Sequence, residues 1–102
     1  MPVIRSPEDC ATMAEVRAAI DDLDRQIVAL IARRFGYMDA AARIKPDRAS
    51  VRDEARKAEV IAKVKAEARA LGVGEQQIAR LYDQLIEASI SYEMGAFEKL
   101  RG

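Results

Sequence analysis

Apolar residues recur every three or four positions along this chain, and no segment alternates with period two. That spacing belongs to helices, so the chain reads as all-α, with three helices of which the first is long. Val16, Ile20, Leu23, Ile27 and Leu30 step by four and three, the seam of a coiled-coil-like contact. Thr12 and Glu15 have capping-box spacing and predict a helix from Met13 to Lys45. Pro46 stops it, because the residue before a proline disfavours helical geometry. Upstream, Ser6 as a cap with Pro7 at the first helical position predicts a single turn. Beyond the polar loop "PDRAS", Ser50 with Asp53 predicts the cap of a second helix. It runs through Ile61, Val64, Ala68 and Leu71 to Gly72, the C′ residue. A third helix begins near Glu75 and passes Ile78, Leu81, Leu85 and Ala88 towards Phe97. No internal repeat or low-complexity tract appears.

These lengths pose a packing problem. A helix of about 33 residues extends roughly 50 Å, whereas a compact domain of about 100 residues has a radius of gyration near 13 Å. Two shorter helices do not cover both ends of such a rod. The expected remedy is a second copy of the chain, giving an intertwined helical homodimer of single-domain chains spanning residues 1–102. A monomer requires instead a break in the first helix near Gly36.

Composition narrows the chemistry. Half of the 102 residues are hydrophobic and a third are charged, as in a folded helical protein. Seventeen basic and seventeen acidic side chains cancel, so no global charge favours nucleic acid or an anionic membrane. No apolar run is long enough to span a bilayer and no signal-peptide layout opens the chain, so a cytoplasmic location is expected. A single cysteine, Cys10, excludes an internal disulfide framework. The chain has no histidine, which removes Ser-His and Cys-His pairs and leaves any metal site to carboxylates without ligand spacing. An enzyme of this composition is expected to avoid both metals and histidine bases.

Polar residues interrupt the apolar stripes at defined places. The next position on the first seam after Leu30 is Arg34, and Lys45 lies eleven residues on, about 20° away around the helix and roughly 16 Å along it. Two long cationic side chains on one stripe can converge on a small anion. Equally, a seam arginine can pair with a buried carboxylate or snorkel at the end of a core. Arg17 sits about 25 Å from Arg34 and about 100° around the helix, so it serves the same site only from another chain. Arg33 lies off the seam and is read as solvated. On the third helix Tyr82, Ile86, Ser89 and Glu93 share a stripe, with Ser89 and Glu93 one turn apart. Here too the simple reading stands beside the functional one: Ser89 as a small packing residue, Glu93 as a salt-bridge partner. At the start of the second helix, Arg52, Asp53, Arg56 and Lys57 read as a solvated face or as the wall of a site.

The segment "EVRAAIDDLDRQIVALIARRFGYMDAAARIK" resembles the first helix of the all-α chorismate mutases: an Arg before Ile-Asp-x-x-Asp, an Arg-Arg pair, and a Lys ending the helix. "VRDEARKAEVI" and "LYDQLIEASISYE" extend the resemblance over nearly the whole chain, and "SPEDC" resembles the isochorismate-pyruvate lyase branch of the same family. The resemblance implies an active site containing Arg34 and Lys45, with Arg17 contributed by the other subunit of a homodimer. It also implies Asp53 and Arg56 lining the site from the second helix, and Ser89 and Glu93 from the third.

The implied reaction, chorismate to prephenate, is a pericyclic rearrangement that needs no metal, cofactor or nucleophile. The protein holds a dicarboxylate in a compact geometry and stabilises charge developing on the ether oxygen. Arg34 and Arg17 would take the carboxylates through their planar forks, and Lys45 would donate to the ether oxygen. Glu93 donates a hydrogen bond only when protonated, so a mutase more active at mildly acidic pH is expected. Lys57 departs from the pattern: several family members have there a Glu that accepts from the ring hydroxyl. That leaves room for isochorismate, which would yield salicylate and pyruvate, although "ASISYE" is more similar to the mutases. A third reading is a non-catalytic dimer module binding an anionic effector.

Overall fold

The structure, a computed structural model, describes residues 3–101. Three helices account for most of them: α1 Met13–Ile44, α2 Glu54–Leu71 and α3 Glu75–Arg101, with single 3-10 turns at Pro7–Asp9 and Arg48–Ser50. The described residues contain no strand. α1 is continuous at Gly36.

The caps show why the helices begin and end where they do. The Glu15 N–H donates to the Thr12 hydroxyl at 3.2 Å, while the Glu15 carboxylate accepts from the N–H groups of Thr12 and Ala11 at 3.0 Å. These bonds, the Ala11 N–H first, hold the Glu15 carboxyl below its ordinary range. The capping box is therefore formed as its spacing predicts. At the other end α1 stops at Ile44, directly before Lys45 and Pro46.

The expected Ser50 cap is corrected. Ser50 closes the 3-10 turn, its N–H and hydroxyl both captured by the Asp47 carboxylate at 3.0 and 2.7 Å. Asp53 caps α2 instead, accepting from the Arg56 N–H at 2.9 Å. Gly72 ends α2 with φ 71°, the left-handed conformation that glycine adopts without a Cβ clash. There the N–H of Val73 donates to the Ala68 carbonyl at 2.9 Å, closing a Schellman-type turn. α3 runs four residues past Phe97, to Arg101.

Two compact units divide the chain, one up to Arg34 and one from Phe35 onward. In the first, the seam residues Ile20, Leu23, Ile27 and Leu30 are all about half exposed, from 48% to 57%. The N-terminal segment lies on the same helix, with Arg5 paired to Glu15. In the second, Ala42, Val51 and Phe97 form a small core flanked by Ile90, Met94 and Ala96. Ala42, completely buried, gives α3 room to approach the end of α1. The contact is fastened higher up by Tyr92, whose ring stacks on Phe35 at 4.8 Å and whose hydroxyl donates to Asp39 at 3.0 Å.

Candidate active site

The stripe that carries Ile86, Ser89, Glu93 and Phe97 is the buried face of α3. Helical period alone puts two polar side chains there, and each finds a partner. The Ser89 hydroxyl donates back to the Leu85 carbonyl at 2.7 Å. Glu93, only 3% exposed, meets the Lys45 ammonium at 2.6 Å. Lys45 also donates to the carbonyl of Val51 at 3.1 Å. The ammonium thus sits where α1 has ended, between the loop that follows α1 and the inner face of α3.

An ion pair this deep is held at the cost of desolvating both groups. The side chains differ in this respect: that of Glu93 is 4% exposed and that of Lys45 27%. The Lys45 side chain keeps partial access to solvent, and of the three hydrogen bonds an ammonium can donate, two go to Glu93 and Val51.

Two further residues singled out from the sequence have partners of their own on α2. Asp53 spends its carboxylate on the α2 cap, and Arg56 is exposed and paired with Glu59. Neither touches the Lys45–Glu93 pair. Arg34 is half-buried at the end of the first unit, and Arg17 is exposed on α1 within that unit.

Sequence reasoning missed a charge cluster joining α2 to α3. Glu87 receives both guanidinium nitrogens of Arg52, at 2.7 and 3.1 Å, and the Lys57 ammonium at 2.8 Å. Lys57 reaches Asp83 as well, at 2.9 Å. The Arg52 bonds first, then that of Lys57, hold the Glu87 carboxyl down to about 2. Asp83 and then Glu87 raise Lys57 in return. Lys57 is thus not part of a solvated face, with its side chain 20% exposed, and it presents no acceptor. Also missed was Arg101, which donates to the carbonyls of Ala42 and Lys45, both at 2.8 Å.

Among the described residues, no three acidic or thiol side chains gather as a metal site requires, and no helix is long and apolar enough to cross a membrane. Fold and site together define an all-helical protein that sets a half-buried lysine against a buried glutamate beside the end of its first helix. Comparison with known proteins places it more closely. The family model for chorismate mutase type II matches residues 16–94, which include Lys45, Ser89 and Glu93. The chain belongs to that family. It is also similar to the isochorismate pyruvate lyase of Pseudomonas aeruginosa, at 30% identity over 99 residues, covering 97% of this chain and 98% of the relative.

Proposed function

We propose that this chain converts chorismate to prephenate as a cytoplasmic homodimer, with each site completed by Arg17 of the second copy. The observation that carries the reading is the Lys45–Glu93 pair, an ammonium donor held by a buried carboxylate inside the matched family region. In the rearrangement a carbon–oxygen bond breaks while a carbon–carbon bond forms within one molecule, so no proton, electron or leaving group departs. Lys45 donates to the ether oxygen as its negative charge develops. Glu93, when protonated, donates to the same oxygen. Arg34 and the partner's Arg17 hold the two carboxylates and fix the folded geometry. Ser89, on the same buried face of α3 as Glu93, lines the site, while Asp53 and Arg56 at the start of α2 are assigned to its rim.

The exposed seam on α1 supports the dimer. Four large aliphatic side chains in one row, each about half in water, form the kind of contiguous apolar patch that marks an interface. A second copy presenting the same row would cover it, as isologous contacts do. The dimer also supplies an arginine from outside the chain.

A second reading has its own support. The relative of matching length is an isochorismate pyruvate lyase, and Lys57, locked between Asp83 and Glu87, offers a substrate hydroxyl no acceptor. Under it the same site eliminates pyruvate from isochorismate and leaves salicylate. Product analysis by NMR separates the two. Prephenate from chorismate establishes the mutase, whereas salicylate and pyruvate from isochorismate, with little prephenate, establish the lyase. No product from either leaves an effector-binding module.

A further inference from the structure

In an α-helix the carbonyl of residue 42 accepts from the N–H of residue 46. Here residue 46 is proline and has no N–H to give. Pro46 therefore ends α1 and at the same time orphans the carbonyl of Ala42, a residue with no exposure to water. A buried carbonyl without a partner costs about 1–3 kcal/mol. The missing donor comes from the far end of α3: one guanidinium nitrogen of Arg101 bonds the Ala42 carbonyl at 2.8 Å. Its other terminal nitrogen bonds the carbonyl of Lys45, also at 2.8 Å. The guanidinium is itself fixed, lying 3.9 Å from the centre of the Phe97 ring, and Phe97 is packed in the core with Ala42 and Val51.

We propose that Arg101 is a positioning residue for Lys45, a role that rests on the functional reading above. Lys45 is held at both ends. Its carbonyl is tied to Arg101 and its ammonium to Val51 and Glu93. The flexible stem between has four rotatable carbons, so the ammonium is only as well placed as the backbone that carries it. The planar fork suits this task. One rigid group reaches two carbonyls three residues apart with a fixed spacing that a lysine's single ammonium does not have. A positive charge at the helix C-terminus is favourable in addition.

The test uses Arg101→Ala, Lys45→Ala and the double variant, assayed at a temperature where circular dichroism shows all of them folded. Arg101→Ala is expected to lower kcat about ten- to a hundredfold, the scale of a roughly 1 Å misplacement, with little change in KM. Arg101→Lys should recover part of that loss. Since Arg101 acts through Lys45, the double variant should be no slower than Lys45→Ala alone. Amide hydrogen exchange supplies a readout independent of turnover: Lys45, whose N–H bonds Ala41 at 2.9 Å, should lose protection in Arg101→Ala while the middle of α2 keeps its own. Pro46→Ala, which restores the intrahelical donor, should return part of that protection. A kcat within twofold of the parent, multiplicative losses in the double variant, or unchanged exchange at Lys45 would each overturn the proposal. If the parent enzyme turned over neither substrate, the functional reading would fall, while the exchange data would still report whether Arg101 restrains Lys45.

Discussion

Lys45 and Glu93, separated by 48 positions in the chain, meet at 2.6 Å with the carboxylate almost wholly buried. Removing either side alters both charge and donor count at the same point. Lys45→Ala should lower kcat about 10²–10³-fold, the usual effect of deleting a donor aimed at developing negative charge. Glu93→Gln keeps the shape and carries an amide that donates at every pH. If a donor at position 93 is what the reaction uses, its turnover should match or exceed that of the parent. A loss as large as that of Lys45→Ala would remove Glu93 from that role.

The intersubunit arrangement is open to a mixing experiment. Arg17→Ala and Arg34→Ala homodimers should each be nearly inactive on their own. After subunit exchange half the dimers are mixed, and each mixed dimer has one site with both arginines. Activity should therefore return to roughly a quarter of the parental value. If Arg17 and Arg34 act from the same chain, mixing restores nothing. Charged substitutions on the seam, such as Leu23→Glu with Ile27→Glu, should convert the protein to monomers in sedimentation velocity.

Glu87 predicts an acid limb in stability. Its carboxyl ionises in the folded chain down to about 2, against an ordinary value of 4.5. A group depressed on folding stabilises fully above its unfolded value and loses that contribution as pH falls through the folded one. The Tm difference between the parent and Glu87→Gln should be constant above pH 5, narrow below about pH 4.5 and vanish near pH 2. Because Arg52 and Glu87 are partly exposed, molar salt should shrink the difference at neutral pH. A difference unchanged down to pH 2 would exclude the cluster as a source of stability.

Gly72, the one described residue with positive φ, should resist substitution although its missing side chain would meet open space. The cost of Gly72→Ala is conformational, about 1–2 kcal/mol, which lowers Tm by several degrees in a differential scan. Ala at Gly36, also in open space but inside a helix, should instead stabilise by about 0.5–1 kcal/mol.

What the sequence made legible follows from the range of each interaction. The capping box at Thr12, the stop at Pro46 and the left-handed Gly72 are settled within four residues, and the structure contains all three. Lys45 and Glu93 stood out because each falls on an apolar stripe, but periodicity carries no register between helices. Their contact was therefore not readable from periodicity, which named no mate for Glu93; only the family resemblance put the two in one site. The Arg52–Glu87–Lys57 cluster was hidden for the same reason, since it depends on how α2 pairs with α3. Ser50 was misplaced because two acidic residues, Asp47 and Asp53, compete within one short loop, and Asp47 captures the serine. Arg101 had one local clue, the N–H that Pro46 lacks, and nothing in the sequence said which distant donor would replace it.

The fork of Arg101 also fixes an order of events. A ribosome delivers α1 first and α3 last, adding about 5–20 residues each second. For several seconds, then, the end of α1 waits in the nascent chain with its final carbonyls uncapped and its lysine without a counterion. Glu93 and Arg101 both lie on α3, so charge and backbone are met by the same late helix. The groups proposed for chemistry are among the last to come together, and a stalled or shortened product ending before α3 can carry helix but no assembled site.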